Sequence, residues 1–320
     1  MSDANITSGR VESENPSFLI RSGKTAKSAN DSHDERSKDE GPQPSRRGYV
    51  TRAQVQSIES QLNARQRVIL DDIGRLGVAS GHQLEQLHYQ SNESARRLAR
   101  IELSRLVNWQ VLQRLSRQIG GVRSGSKGFV YALGVAGQRL LWPNKARYRA
   151  PWTPRPSYLR HALTVSDLYV TLRGLERSEV LNLATYDVEP QCWRNFIGPG
   201  GGSVVLKPDA FATLHIENFE DRYFIEVDLA TEDGPRILTK ARTYIRYWQS
   251  GKEQESSGVF PYVAWLTTTE DRRVFLTDTL AKLPAEHWQL FIVSTIDELT
   301  QSLSNGTFLP INNKPKEVNS

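Results

Sequence analysis

Three carboxylates and one lysine stand where such residues are costly unless they are paired or put to use. Asp209 lies in the mainly apolar run from Val204 to Leu214, and Glu226 and Asp228 lie in a second, Tyr223-Phe-Ile-Glu-Val-Asp-Leu229. Both runs have the alternation of strands, which places Glu226 and Asp228 on one face and Ile225 and Val227 on the other. Lys240 follows in the stretch from Arg236 to Trp248, a helix by its spacing, with Pro235 near the first turn where a missing N–H costs little. Carboxylates on neighbouring strands with a lysine on the next helix suit phosphodiester hydrolysis with Mg²⁺ or Mn²⁺. Hard oxygens hold the ion at the scissile phosphate, and the ammonium orients water or offsets developing charge. The same residues have a second reading: Asp228 and Glu232 paired with Arg236, Lys240 or Arg242 near the helix start would serve packing alone.

A polyanionic substrate is suggested by how charge is distributed. The chain of 320 residues carries a net charge of +5, yet residues 61–150 hold fifteen Lys and Arg against five Asp and Glu. The rest of the chain is therefore net negative, and a basic excess confined to one module is the electrostatic footprint of a nucleic-acid binder. The length allows two domains with tails. No run is long and apolar enough for a membrane span, and the first residues lack the apolar core of a signal peptide, so a cytoplasmic protein is expected. Cys192 is the single cysteine, which excludes an internal disulfide and a multi-cysteine zinc site and reads as a core thiol.

Residues 1–48 are too polar to bury a core and read as a disordered tail. The pattern turns helical from Ala53, and capping boxes at Asn63/Gln66 and Ser80/Gln83 open the next two helices. Another helix runs from Asn92 to Leu106. Helical spacing turns its Ala95, Leu98, Ala99, Leu103 and Leu106 inward and leaves Arg96, Arg97, Arg100 and Ser104 outward. Two strand-like runs, 111–119 and 128–133, flank the basic loop that carries Arg123 and Lys127. Helices followed by a hairpin with a basic tip give a winged helix-turn-helix over residues 53–142. The last helix would enter the major groove of double-stranded DNA, and Arg123 and Lys127 on the wing would reach phosphates or the minor groove.

Residues 143–156, rich in Pro, Arg and aromatic side chains, form a linker to a second domain over 157–308, beyond which 309–320 looks frayed. That domain reads as a helix, three strands, then helix, strand, helix and strand: an α/β (α+β) fold with a mixed sheet. His161, at the apolar edge of the first helix, reads as a core or interface histidine. The turn Gly198-Pro-Gly-Gly-Gly-Ser203 lacks the lysine and following helix of a phosphate loop. No His-x-His pair accompanies the tyrosines, which argues against a tyrosine nucleophile served by a histidine-bound metal.

Pro208-Asp209 followed by Glu226-x-Asp228 resembles the core of the PD-(D/E)xK nuclease superfamily, with Asp228 at the position of the usual lysine. That resemblance implies a restriction-endonuclease-like fold, Lys240 as the displaced lysine, and Glu189 joining Asp209 and Glu226 as metal ligands. With the winged helix in front, the chain from about Ala64 to Leu303 is similar to the replication-relaxation family. The similarity implies work in plasmid replication and DNA relaxation, beside other plasmid replication proteins. Metal-dependent nicking and a non-catalytic accessory or regulatory role both accord with the pattern.

Overall fold

The computed structural model describes residues 50–305 except Ser91, 116–128, 146–147 and 149–153. The expected tails and the loop bearing Arg123 and Lys127 lie outside these residues. The first module comprises α1 (Arg52–Gln61), α2 (Ala64–Leu76), β1 (Val78–Ser80), α3 (Gly81–His88), α4 (Glu93–Asn108), β2 (Leu112–Leu115), β3 (Val130–Leu133) and α5 (Val135–Leu141). Capping boxes open α2 and α3 at Asn63 and Ser80, and another at Thr51 opens α1. In each, the side chain of the capping residue accepts an otherwise unpaired N–H, which fixes where the helix begins. β3 lies between β1 and β2 in an antiparallel sheet. Ile69, Ile73, Leu84, Leu103, Leu106 and Val111 fill the core between helices and sheet.

The inward face of α4 differs from the one its spacing suggests. Ala99, Glu102, Leu103 and Leu106 are buried, whereas Leu98 is 42% exposed. The polar residue at the inward position explains the rotation: Glu102 accepts a 2.5 Å hydrogen bond from Tyr89 and one of 3.3 Å from Asn63, and pairs with Arg65 at 3.5 Å. A carboxylate with this many partners can be buried, and the apolar stripe turns to accommodate it.

The second module opens with α6 (Pro156–Arg177) and continues through β4 (Asn182–Val188), β5 (Arg194–Ile197), β6 (Ser203–Leu206), β7 (Ala210–Ile216), β8 (Phe219–Asp228), α7 (Gly234–Gln249), α8 (Lys252–Ser257), β9 (Tyr262–Thr267), α9 (Glu270–Leu280), a 3₁₀ turn (Ala285–Leu290), β10 (Phe291–Thr295) and α10 (Ile296–Ser304). Its mixed sheet has the order β10-β9-β8-β7-β4, parallel from β10 to β8 and antiparallel from β8 to β4. Tyr223, Ile225 and Val227 of β8 face a core shared with α6 and α10, while Phe224 faces one shared with α7 and α9. The run from Val204 to Leu214 is two strands, where its alternation suggests one. Pro208 has no N–H for a ladder and restrains Lys207 before it, so β6 pairs with β5 as a separate hairpin while β7 enters the main sheet. Asp209 sits directly after that break.

One helix serves both modules. Val165, Leu168 and Leu172 of α6 pack on the mixed sheet, and its Leu159 packs with Val78, Leu115, Val130 and Ala132 of the first module. Polar bonds follow the same seam: Ser166 donates to the carbonyl of Val78 at 2.9 Å, Gln83 to Leu163 and Asp167 at 2.8 and 2.6 Å, and Tyr169 to Asp72 at 2.7 Å. No described helix is long and apolar enough to cross a membrane.

Close packing at α5 makes a direct test. A Cβ on Gly137 would lie 2.2 Å from the backbone oxygen of Val111, whereas one on Gly74 would meet the end of the half-buried Leu141 side chain at 2.4 Å. Gly137→Ala is expected to cost about 1–3 kcal/mol, since backbone cannot step aside. Gly74→Ala is expected to lie near neutral, as rotation of Leu141 and a gain in helix propensity of roughly 1 kcal/mol oppose the crowding. Urea unfolding of the two variants checks the order.

Candidate functional site

The buried acids gather where β7 begins and β8 ends. Asp209 continues the ladder between these strands: its N–H donates to Ile225 at 3.0 Å, and its Oδ2 accepts from the Val227 N–H at 2.7 Å. Oδ1 faces Nε2 of His161, on α6, at 3.3 Å. Glu226, 1% exposed, accepts a hydrogen bond from Tyr244 at 2.5 Å on one oxygen and pairs with the ammonium of Lys240 on the other. Asp228 is held by Arg272 of α9 through two bonds, from Nε at 3.0 Å and Nη2 at 2.7 Å, and also accepts from the Ala230 N–H at 2.6 Å. Arg272 Nη2 reaches the carbonyl of Glu232 at 2.5 Å as well. Glu189, exposed, stands at the end of β4.

Charges in this cluster act on one another. Burial raises Glu226 to about 8, with Lys240 opposing and Asp209 adding to the rise. For Lys240, burial alone would lower the ammonium, but the charges of Glu226 and Asp209 outweigh it and hold the group above its ordinary value. Burial would likewise raise Asp209, yet His161, Lys240 and the Val227 N–H leave it below the ordinary range. His161 shows the converse. Burial would lower it, and the hydrogen bond and charge of Asp209, with Glu189 behind them, raise it above 6.5. Glu189 is raised by the protein packed around it and by the neighbouring Asp209 charge.

The structure thus unites Asp209, Glu226 and Lys240, with Glu189 near enough to influence them. Asp228 belongs to the same face of β8 but not to the same group: its partner is Arg272, not Arg236, Lys240 or Arg242. His161, Tyr244 and Arg272 are the participants that sequence spacing did not reveal. His161 had one legible signal, its place at the apolar edge of a helix. Cys192 is buried as expected and donates to the Pro208 carbonyl at 3.1 Å, with burial pushing its thiol pKa up.

The acids do not fit Mg²⁺ or Mn²⁺ as they stand. The oxygens of Glu226 are engaged by Tyr244 and Lys240, those of Asp228 by Arg272, and those of Asp209 by His161 and the Val227 N–H. Among the described residues no three His, Cys, Asp or Glu side chains converge as a metal-holding group. Protein cations and donors occupy the positions that the sequence pattern offers to a metal.

On the first module, Arg96, Arg97 and Arg100 of α4 are exposed, and so are Leu98, Ile101 and Arg105. Ser104 is half-buried and accepts a 2.9 Å hydrogen bond from Arg114 of β2, whose guanidinium also lies 4.4 Å from the centre of the Phe129 ring. Ser104 is therefore held against the sheet.

Two measurements probe the acid cluster. Lys240→Met leaves Glu226 buried without its cation and is expected to lower stability by about 3 kcal/mol or more. The loss should be larger at pH 8 than at pH 5: a buried neutral Glu226 retains its proton where the unfolded chain has released it, so stability falls as pH rises above the unfolded value. Urea unfolding at the two pH values tests this. Separately, Asp209→Asn removes the carboxylate that raises His161. Burial then prevails, and the histidine should titrate below its wild-type value by NMR.

Comparison with curated proteins and with solved structures finds no significant match to either. A family profile described as replication-relaxation matches residues 70–263, which covers most of the first module and the second as far as the start of β9. The chain belongs to the replication-relaxation family.

Proposed function

We propose that this protein is a double-stranded DNA-binding member of the plasmid replication and relaxation machinery, with a winged helix as its DNA-binding module. The single observation that carries this reading is the outward face of α4, where Arg96, Arg97 and Arg100 surround exposed Leu98 and Ile101. Arginines there bind phosphates or the acceptor edge of guanine, and aliphatic side chains suit the methyl group of thymine in the major groove. The order helix, β1, helix, helix, β2, β3 is the one a winged helix requires, with Arg123 and Lys127, between β2 and β3 in the sequence, as further phosphate partners. The second module is a nuclease-like α/β domain whose acid cluster positions helices, and the protein serves as an accessory or regulator beside other replication proteins.

Fluorescence anisotropy with labelled duplex DNA tests this. Arg97→Ala with Arg100→Ala should weaken binding at least about tenfold and flatten the slope of log affinity against log salt by about 0.9 for each phosphate that is no longer neutralised. Unchanged affinity and slope would remove α4 as the DNA-binding face.

A second reading, nicking with Mg²⁺ or Mn²⁺ at Asp209, Glu226 and Glu189, is favoured by the mutual influence of these acids and Lys240. It requires His161 and Lys240 to give way to the ion. Supercoiled plasmid incubated with either metal distinguishes the two: nicking abolished by Asp209→Ala supports cleavage, and equal results for wild type and variant dismiss it.

A further inference from the structure

A cleft of about 550 Å³ lies between the two modules, with the C-terminal turn of α2 on one side and α6 with the end of β4 on the other. It is largely apolar inside, with a few polar side chains among Ile73, Leu76, Leu133 and Val165, and aromatic at its mouth. His161 and Asp209, with side chains 31% and 9% exposed, lie deep, and Glu189 stands beside them. Trp142 and Tyr158, 36% and 46% exposed, line the outer part. Lys145, also in the lining, is exposed and holds its ammonium 4.5 Å from the centre of the Trp142 ring.

Size and charge together select the ligand. Cavities of roughly 300–1,000 Å³ accept small-molecule-sized groups, and a duplex cannot enter one. A charged phosphate is costly to desolvate against this apolar lining, whereas the flat faces of a base suit it, and the exposed carboxylate of Glu189 can accept hydrogen bonds from the amino or imino groups of the base. At the mouth, aromatic rings offer stacking and Lys145 offers a phosphate partner. A nucleotide would therefore enter base first and leave its phosphate outside, which is the orientation of a nucleotide still joined to its strand.

We propose that the cleft holds a single unpaired nucleotide of a DNA strand, so that the protein prefers DNA containing an unpaired nucleotide to continuous duplex. The proposal rests on the DNA-binding reading above and gives it a substrate class: locally melted, bulged or single-stranded DNA. Glu189 faces the base, while Trp142, Tyr158 and Lys145 hold it at the entrance.

Anisotropy with three labelled probes tests it: a continuous duplex, the same duplex with a one-nucleotide bulge, and a short single strand. The full-length protein should bind the bulged duplex about tenfold more tightly than the continuous one, in line with the contribution of one stacked base. Trp142→Ala with Tyr158→Ala should abolish that preference and leave affinity for continuous duplex unchanged. Arg97→Ala with Arg100→Ala should weaken both duplexes and keep their ratio. Both rim side chains are partly exposed, and a thermal melt equal to wild type confirms that their replacement leaves the fold intact. A wild-type ratio near one, or a preference that survives the rim substitutions, overturns the proposal. So does full competition by free dAMP, which would assign the cleft to a mononucleotide. If continuous duplex fails to bind at all, the α4 reading fails, and the single strand decides the cleft separately. Binding abolished without Trp142 and Tyr158 but kept without Arg97 and Arg100 supports the cleft, and no binding refutes it.

Discussion

Burying a carboxylate in an apolar sheet is tolerable only where a cation or a set of donors meets it, and this requirement arises three times within a few residues of the β7–β8 ladder. Each time the cation comes from a different helix. His161 of α6 meets Asp209, Lys240 of α7 meets Glu226, and Arg272 of α9 meets Asp228. The apolar layers supply most of the stabilisation, but they are non-directional, and helices can slide over them. The ion pairs are directional, so they fix where along the sheet each helix stops.

The seam between the modules follows from the same arrangement. Once α6 is held against Asp209 on one side, its Leu159 and Ser166 determine where β1 must lie, through apolar packing on Val78 and the bond to the Val78 carbonyl. Asp72 adds a second polar fastening: it accepts from Tyr169 at 2.7 Å and sits 3.1 Å from His88, joining α2, α3 and α6. The cleft is the space left where α2 ends and Glu189 leaves the sheet. It exists because α6 serves both modules along part of its length only.

Local features were legible in the sequence because local chemistry determines them. The caps at Asn63 and Ser80, the strand Tyr262–Thr267 and the helix start marked by Pro235 all depend on neighbours a few residues away. Glu226 and Asp228 share a face of β8 for the same reason. What stayed hidden depended on distant partners. Arg272 is assigned to Asp228 by the packing of α9 on α7, and no spacing rule joins them. Leu98 looked like a core residue until Glu102, satisfied by Tyr89, Asn63 and Arg65, took the inward position. β1, three residues long, is too short to show a period, and it is a strand because β3 pairs with it. The hairpin of β5 and β6 was hidden the same way, its four-residue strands flanking a glycine-rich turn.

Surface character differs between α4 and the cleft. A polyanion approaching this chain meets exposed arginines on α4 and a mostly apolar cleft, so its charged backbone is drawn to the first and costly to desolvate in the second. Only an uncharged part of the same polymer can go deep, and an unstacked base is the uncharged part that presents a flat apolar face. The acids that look like a metal site in the sequence thus acquire a different consequence in the fold. Neutralised by helices, they set the architecture, and under the proposal above it is the apolar lining of the cleft, with exposed Glu189 beside it, that selects the base end of a nucleotide.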